Sequence, residues 1–291
     1  MEIVYHIGAH ATDEDRLLKC LLKNKEDLVR QGISVPGPSR YRKLLRETIH
    51  ALARGVPGPE TRDMLLDEII EEDNIDRLVM SNSNFICIPA RIFEHGQFYR
   101  LAGDRIEGMT QLFPNDQLEF HLAIRNPATF IPEIVSGLPL AAQKRLDGKL
   151  DPFSIRWSDM IARMQIAAPE AQFTVWCNED TPLLWAQLIR ELSGLDPNTK
   201  IVGGFDLLAE IMTPEGLQRF QTYLKTHPPH TEVQKRRIIA AFLDKFAIED
   251  ALEEELDMPG WTDEVVDALT DTYEEDVYKI DRMPGVTLIT P

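Results

Sequence analysis

The chain opens with Met1-Glu-Ile-Val-Tyr-His-Ile-Gly-Ala-His-Ala-Thr-Asp-Glu-Asp15, and this stretch decides the fold. The run Ile3–Ile7 predicts a buried strand, the small residues Gly8–Ala11 predict a tight turn, and a helix is predicted to open at Thr12 or Asp13. A turn of this kind leaves backbone N–H groups free at the start of the helix, where they commonly bind a phosphate or another anion. The opening therefore predicts a strand, a turn and a helix that together form a candidate anion site.

The rest of the chain continues the alternation of strands and helices. The first helix is predicted over about Asp13–Gln31, Gly32 ends it, and a short strand follows at Ile33–Pro36. Three more apolar runs predict strands at Arg77–Ser81, Gln117–Ile124 and Gln172–Cys177. A strand–helix–strand unit of this length is right-handed and parallel. The sequence therefore predicts an α/β fold, a three-layer parallel sheet flanked by helices, in a single domain over residues 1–291 whose C-terminal part, about residues 205–291, is acidic and helical.

The motif His6-Ile-Gly-Ala-His10 resembles the opening of the bacterial sulfotransferase-like family, a branch of the P-loop nucleotide-binding fold. Members of that family transfer a sulfuryl group from 3'-phosphoadenosine-5'-phosphosulfate (PAPS) to a hydroxyl or an amine. The resemblance implies a PAPS cofactor whose 5'-phosphosulfate lies against Gly8, Ala9 and Thr12. It also implies that His10 or His6 serves as the catalytic base, or as a neutral donor to the transferring group.

The chain departs from the family at the positions that bind the anion. The family pattern continues with Lys, Thr, Gly and Thr, whereas Ala11 stands here at the Lys position and Asp13-Glu14-Asp15 replaces the Gly-Thr-Thr run. At ~4 Å and an effective dielectric constant of ~20, each close pair of like charges costs about 4 kcal/mol. The missing Lys removes a charge-assisted hydrogen bond that contributes roughly 1.5–3 kcal/mol. We therefore expect a PAPS affinity that is lower by several factors of ten.

The same substitutions have a structural interpretation. Thr12 and Asp15 approximate a capping box, in which each residue satisfies a backbone N–H at the helix start. Carboxylates in the first turn also interact favourably with the positive end of the helix dipole. The pattern favours a self-capped structural helix over an anion site, and both interpretations stay open at this point.

A second motif follows the strongest internal strand, Gln117–Ile124. Arg125-Asn126-Pro127 resembles the Arg-x-Pro of the same family, in which the Arg and a Ser eight residues beyond it bind the 3'-phosphate of PAPS. Glu133 occupies the position of that Ser, and Ser136, one helical turn further along, is the candidate substitute. Arg125 is thus predicted either to hold a 3'-phosphate or to pair with Glu133 inside the chain.

The composition excludes several classes of function. A formal net charge of −17 over 291 residues argues against nucleic acid or an anionic membrane as the main partner. Cys20, Cys87 and Cys177 are far apart and follow no metal-binding spacing, which is typical of free thiols in a reducing compartment. No apolar stretch approaches the ~18 residues that a membrane-spanning helix needs. We therefore expect a cytoplasmic protein that binds neither nucleic acid nor membrane.

Three hypotheses about function follow from these residues. The first is a sulfotransferase-like protein with a degenerate PAPS site, which is inactive or weakly active as an enzyme and acts by binding a small-molecule ligand or a protein partner. The second is an active PAPS-dependent sulfotransferase, in which His10 or His6 acts as the base and Arg125 holds the cofactor. The third places a divalent cation between Asp13, Asp15 and a nearby carboxylate.

Overall fold

The computed structural model describes residues 1–52, 55, 58, 60–146, 150–248, 251 and 258–291. The strands in this part of the chain are β1 (Glu2–His6), β2 (Ile33–Ser34), β3 (Arg77–Ser81), β4 (Gln117–Ile124), β5 (Gln172–Cys177) and β6 (Val286–Ile289). They form one sheet in the order β2-β3-β1-β4-β5-β6, and every neighbouring pair is parallel. The predicted α/β fold, a parallel sheet flanked by helices, is therefore confirmed.

Helices connect the strands and cover both faces of the sheet. In chain order they are α1 (Arg16–Lys23), α2 (Lys25–Val29), α3 (Pro38–Leu52), α4 (Thr61–Ile69), α5 (Ala102–Leu112), α6 (Pro127–Ser136), α7 (Leu140–Leu146), α8 (Trp157–Ala167), α9 (Thr181–Ser193), α10 (Asp206–Ile211), α11 (Pro214–Thr226), α12 (Glu232–Phe246) and α13 (Asp263–Ile280). Within the described ranges, none of them combines the length and the apolar character that crossing a lipid bilayer requires.

β1 lies in the centre of the sheet and is buried on both faces. Ile3 and Tyr5 belong to one hydrophobic core, which also contains Leu78 and Phe120, while Val4 belongs to a second core on the other face. Alternate residues of a strand face opposite sides of its sheet, so both sides of a central strand must be apolar. This is why β1 appears in the sequence as a continuous apolar run.

The first helix begins later than the sequence predicts. α1 begins at Arg16 rather than at Thr12 or Asp13, because Glu14 and Asp15 have positive φ angles of 50° and 63°, which a right-handed helix cannot contain. The predicted capping box between Thr12 and Asp15 is wrong, since the Asp15 side chain makes no capping hydrogen bond.

The predicted helix over 13–31 is also interrupted in its middle. Asn24 separates α1 from α2 and is buried. Its side-chain N–H group donates to the carbonyls of Cys20 and Val202, both at 2.9 Å, and its Oδ1 accepts from the Val202 N–H at 2.8 Å. A loop that is distant in sequence thus bonds to Asn24 at the point where the helix is broken.

Most other predicted boundaries agree with the structure. β3, β4 and β5 have the predicted bounds, and the side chains of Thr213 and Thr262 cap α11 and α13. Thr181 lies inside the first turn of α9, and Asp180 precedes the helix without a side-chain cap. α8 begins at Trp157, whose backbone N–H donates to the carboxylate of the distant residue Asp276.

The C-terminal part of the chain returns to the sheet. α10, α11 and α12 enclose a separate small hydrophobic cluster that contains Met212, Phe220 and Ile239. α13 packs on α6 and α8, and β6 then pairs with β5 at the edge of the sheet. Residues 249, 250 and 252–257 of the part that is predicted to be acidic, together with Pro57 and Pro59, lie outside the described residues.

Candidate functional site

Two cavities open at the carboxyl end of the sheet. The connection that follows β1 leads to one side of the sheet and the connection that follows β4 leads to the other, which is the arrangement that creates a ligand crevice in open α/β sheets. The large cavity, about 680 Å³, lies between the segments that follow β1, β4 and β5 and is lined there by Asp13, Arg125 and Thr181. The small cavity, about 260 Å³, lies between the segments that follow β1 and β3 and is lined by His6 and Ser83.

Backbone hydrogen bonds tie the turn after β1 to β4. Gly8 has a φ of 103°, its carbonyl accepts from the Ala123 N–H at 2.6 Å, and the Ala9 N–H donates to the Ala123 carbonyl at 3.0 Å. A Cβ atom at Gly8 would lie 3.3 Å from the Cα of Ser83, so both the positive φ and the close approach favour glycine here. The N–H of Ala9, predicted to bind the cofactor, is therefore used inside the chain.

His10, one of the two predicted catalytic histidines, is enclosed by hydrogen bonds. Its Nδ1 lies 2.7 Å from the Tyr99 hydroxyl, its Nε2 lies 3.2 Å from Asn84 Oδ1, and its backbone N–H donates to the Tyr99 oxygen at 3.3 Å. The Tyr99 hydroxyl can donate to Nδ1, which leaves Nε2 as the donor to Asn84. Burial lowers the pKa of His10, against the hydrogen bond to Asn84. This side chain lines neither the large nor the small cavity.

His6, the other predicted catalytic histidine, lies at the end of β1 and lines the small cavity. Its Nδ1 is 2.8 Å from Ser81 Oγ, and its ring stacks on Trp176 with 5.8 Å between the ring centroids. Its Nε2 finds no hydrogen-bond partner among the described residues. Burial, together with the nearby His121, lowers the pKa of His6 to about 3. The imidazole is therefore neutral and a weak base.

The carboxylate of Asp13 lies at the N-terminus of α1. Its Oδ1 accepts from the Leu17 N–H at 2.7 Å, one of the backbone donors that a helix leaves unsatisfied at its start. Burial raises the pKa of Asp13 to about 6, against the hydrogen bond from Leu17, and the side chain lines both cavities. The hydroxyl of Thr12, predicted to hold the phosphosulfate, donates to the Ala9 carbonyl at 2.8 Å. The chain thus places one of its own carboxylates at the start of α1.

Asp15 and Glu14 are both engaged with basic side chains. Asp15 accepts from the two terminal nitrogens of Arg42 at 2.5 and 3.0 Å, and Arg42 also donates to the Ser81 carbonyl. This bidentate pair joins the turn to α3 and β3. Glu14 pairs with Arg16 at 3.2 Å near the surface. In the described part of the chain, the third carboxylate of the run, that of Asp13, has no such ion pair.

Arg125 is buried beside the turn. Its Nη1 donates to the Ala11 carbonyl at 2.6 Å and its Nε donates to the Thr129 hydroxyl at 3.1 Å. Glu133 lines the large cavity with Arg125, but no ion pair joins the two among the described residues, so the predicted internal pair does not form. Ser136 is exposed, donates to the Glu133 carbonyl at 3.0 Å and lies outside the cavity lining. The structure therefore brings Arg125, but not Ser136, next to the turn.

Several residues that shape the site were not identified from the sequence. Tyr99 and Arg42 lie 89 and 27 positions away from the histidine and the carboxylate that they bind, and no local pattern marks them. Trp176 and Thr181 line the large cavity, and Trp176 also belongs to the hydrophobic core on one face of the sheet. Their position at the carboxyl end of β5 is the signal that could have identified them.

The divalent-cation hypothesis receives no support from the geometry. The carboxylates of Asp13 and Asp15 have different partners, Leu17 and Arg42. Within the ranges that the structure describes, no group of three or more His, Cys, Asp or Glu side chains is placed to hold a metal ion.

Comparison of the chain with protein-family models, with curated proteins and with solved structures finds no match. Function is therefore inferred from the geometry of the site.

Proposed function

We propose that this protein is a sulfotransferase-like α/β protein that binds a small-molecule ligand at the carboxyl end of its sheet and does not use PAPS. The observation that carries the proposal is the hydrogen bond from the Leu17 N–H to Asp13 Oδ1 at 2.7 Å. It puts a carboxylate of the chain at the start of α1, where a phosphate would otherwise bind.

Other donors of the expected phosphosulfate site are already in use. The Ala9 N–H donates to β4, the His10 N–H donates to the Tyr99 hydroxyl, and the Thr12 hydroxyl donates to the Ala9 carbonyl. A ligand would have to replace these internal hydrogen bonds, and the loss of each costs about 0.5–1.5 kcal/mol. Approach of a phosphate to the Asp13 carboxylate costs about 4 kcal/mol for each close pair at an effective dielectric constant of ~20. These costs together correspond to a loss of roughly three or more factors of ten in affinity.

The histidines also favour a binding protein over a sulfuryl-transfer enzyme. Both ring nitrogens of His10 are within hydrogen-bond distance of partners in the chain. His6 faces the small cavity, and its pKa is lowered to about 3 by burial and by the nearby His121. A general base must accept a proton efficiently near the working pH, which a group with such a low pKa does not do.

Calorimetric titration with PAPS, and with its 3',5'-bisphosphate product, tests the proposal. We expect both nucleotides to bind more weakly than a Kd of about 1 mM, which corresponds to roughly 4 kcal/mol of binding free energy. Micromolar binding of either nucleotide would overturn the proposal. Electron density for a soaked nucleotide against His10 and Thr12 would do the same.

A restored variant sharpens this experiment. It carries Ala11→Lys, Asp13→Gly, Glu14→Thr and Asp15→Thr, which rebuilds the family run. We expect it to bind the 3',5'-bisphosphate at least ~10-fold more tightly than the natural protein, because repulsion is removed and a charge-assisted hydrogen bond is regained. The matched control keeps Ala11 and carries the other three substitutions, so it separates the effect of the carboxylates from that of the missing Lys. Thermal unfolding of both variants verifies that loss of the Arg42 pair leaves the fold intact.

The alternative, an active sulfotransferase, is favoured by one feature, the burial of Arg125 beside the large cavity. It is tested by incubating the protein with labelled PAPS and a panel of hydroxyl and amine acceptors. Labelled product that disappears in an Arg125→Ala variant would establish the enzyme and contradict our proposal. Absence of product from the whole panel is the expected result.

A cytoplasmic location is part of the same proposal. Cys20, Cys87 and Cys177 are free thiols in the structure, which suits a reducing compartment. Burial raises the pKa of Cys20 to about 12, so this thiol is expected to react slowly with alkylating reagents.

A further inference from the structure

The wall of the large cavity contains two buried polar groups without a partner. Trp176 is 1% exposed and Thr181 is 9% exposed, and both line this cavity. Among the described residues, neither the indole N–H of Trp176 nor the hydroxyl of Thr181 makes a hydrogen bond. Buried polar groups in native proteins are almost always paired, with the chain, with water or with a ligand. Both atoms have almost no accessible surface, so they lie behind the wall of the cavity and leave contacts with a ligand to the other lining groups.

Negative charge dominates the lining of the same cavity. Of the residues that the structure describes, five carboxylates and two guanidinium groups line it, namely Asp13, Glu14, Glu133, Glu179, Glu210, Arg16 and Arg125. A cleft with an excess of one charge raises the local concentration of ligands with the opposite charge. The lining therefore favours a cationic ligand and disfavours an anionic one.

Some of these carboxylates are already satisfied within the chain. Arg16 pairs with Glu14 at 3.2 Å and with Glu210 at 2.9 Å. Glu179 accepts from the backbone N–H of Asn126 at 2.7 Å and from the hydroxyl of Tyr273 at 3.1 Å.

Asp13 and Glu133, in contrast, form no ion pair with a basic side chain in the described part of the chain. Asp13 accepts one hydrogen bond, from Leu17, and this bond uses only Oδ1. Glu133 lines the cavity from α6 and is exposed to solvent. These two carboxylates are the groups of the lining that remain available to a positive charge.

Apolar surface separates the polar groups of the lining. Leu17, Leu207 and Ile211 contribute aliphatic side chains, and Trp185 contributes a ring whose N–H already donates to the Gly203 carbonyl at 2.9 Å. Sites for small organic molecules are typically clefts of about 300–1,000 Å³ that are mostly apolar and carry a few polar groups. The large cavity, at about 680 Å³, has this character.

We propose that the large cavity binds a small organic amine. Its protonated amino group lies near Asp13 and Glu133, and its apolar body lies against Trp185. The inference rests on the proposed function, because the same cavity borders the segments that would hold PAPS in an active relative.

Four probes of matched shape test this inference on the full-length natural protein. Tyramine carries both the cation and a hydroxyl, N-acetyltyramine lacks the charge, 3-(4-hydroxyphenyl)propionate reverses it, and phenethylamine lacks the hydroxyl. Calorimetry and saturation-transfer NMR measure binding. We expect tyramine to bind at least ~10-fold more tightly than the neutral and the anionic probe, which corresponds to one power of ten in Kd. We expect phenethylamine to bind about as tightly as tyramine, because the inference assigns no partner to the hydroxyl.

Two variants locate the binding site. Glu133→Gln is expected to weaken tyramine binding about two- to five-fold, because the ion pair that it removes lies at the solvent-exposed edge of the cavity. Glu170→Gln is the control, because Glu170 is exposed in the turn before β5 at the opposite end of the sheet.

The outcomes separate this inference from the proposed function. If no amine probe binds, or if the anionic probe binds as tightly as tyramine, the inference is overturned. The proposed function then still stands, provided that PAPS does not bind. If PAPS binds at micromolar concentration and displaces tyramine, the proposed function is overturned instead. Equal loss of tyramine binding in Glu133→Gln and Glu170→Gln would contradict the assigned site.

Discussion

At the scale of single residues, the buried carboxylate of Asp13 has an electrostatic cost. Burial raises its pKa to about 6, so at neutral pH the folded protein holds a carboxylate in surroundings that disfavour the charge. The hydrogen bond from the Leu17 N–H offsets only part of this cost. A residue that is unfavourable for stability and lines a cavity is typical of functional sites.

Asp13→Asn is therefore expected to stabilise the protein at neutral pH. The pKa of Asp13 is about 6 in the folded state against an ordinary value of 3.8, so the folded state binds more protons between these values and loses stability as the pH rises through them. A shift of roughly two pKa units corresponds to at most ~3 kcal/mol, and partial exposure reduces this, so we expect a gain of about 1–3 kcal/mol above pH ~7. Urea unfolding at several pH values measures it. A gain that is equally large at pH ~4 would contradict the assignment to Asp13.

Thr181→Val is expected to stabilise the ligand-free protein. The substitution keeps the shape of the side chain and removes a buried hydroxyl that has no partner among the described residues, so we expect a gain of about 1 kcal/mol in the free energy of unfolding. Thr213→Val is the matched control, because the Thr213 hydroxyl accepts from the Gly216 N–H at 3.2 Å and caps α11. We expect that control to lose about 1 kcal/mol. Chemical denaturation of both variants should give changes of opposite sign.

At the scale of elements, α13 supplies the cap of α8. The buried carboxylate of Asp276 accepts from the N–H groups of Trp157 and Ser158, at 2.6 and 3.1 Å, and from the Ser158 hydroxyl. These N–H groups are the ones that a helix leaves unsatisfied at its start. A negative charge there also interacts favourably with the helix dipole. The contact joins the C-terminal helix to the central part of the chain.

Asp276→Ala is expected to destabilise the protein by about 2–4 kcal/mol, because a cap and a charged hydrogen-bond acceptor are lost together. Asp267→Ala is the control, since Asp267 lies on the exposed face of α13. A surface change of that kind usually alters stability by less than about 0.5 kcal/mol. Equal unfolding temperatures for Asp276→Ala and Asp267→Ala would show that the cap contributes nothing to stability.

At the scale of the whole molecule, the two ends of the sheet have different roles. The carboxyl end holds the cavities, whereas the amino end is closed by an ion-pair network around the buried Arg77. Arg77 donates to Glu119 and Glu2, each at 2.5 Å, and to the carbonyl of Leu192 at 3.2 Å. This network joins β1, β3, β4 and α9 and so stabilises the end of the sheet that carries no candidate site.

Glu119→Gln tests this network through its pH dependence. Burial alone would raise the pKa of Glu119, but hydrogen bonds from His121 and Arg77 outweigh burial and lower the pKa to about 2 from the ordinary 4.5. The unfolded state therefore binds more protons between these values, so the stabilisation is complete above pH ~4.5 and is lost as the pH falls towards ~2. We expect the variant to be less stable by about 2–3 kcal/mol at neutral pH and the difference to shrink in acid. If the stability difference between Glu119→Gln and the natural protein did not change with pH, the role assigned to Glu119 would be contradicted. Glu170→Gln is the control, in which an exposed carboxylate is removed.

The fold could be predicted from the sequence to a large extent. The apolar runs that became β1, β3, β4 and β5 are set by burial on both faces of a parallel sheet, which leaves a clear pattern in consecutive residues. Helix starts at Thr213 and Thr262 are of the kind that a sequence can indicate, because a capping side chain acts on a backbone N–H only a few residues away. The predicted start of α1 was wrong because Glu14 and Asp15 have positive φ angles, which exclude them from a right-handed helix. Helix propensity alone does not indicate such angles.

The site could be predicted only in part. The sequence placed Asp13 and Arg125 at the correct end of the sheet, since motifs after parallel strands meet at their carboxyl edge. It did not predict that His10 would be enclosed by Tyr99 and Asn84, or that Ser136 would lie outside the cavity. The sequence also gave no indication that Trp176 and Thr181 line the same cavity.

By itself, the sequence determined most of the strand and helix order and the run of three carboxylates that follows β1. Only the tertiary structure decided which of those carboxylates is neutralised, because Arg42 reaches Asp15 across 27 positions while Asp13 finds a backbone N–H beside it. The physical reason is range: propensities and caps act over a few residues, whereas ion pairs, burial and unpaired polar groups depend on which distant segments the sheet brings together. The cavity, and with it the cationic ligand that we propose for it, belongs to that second class.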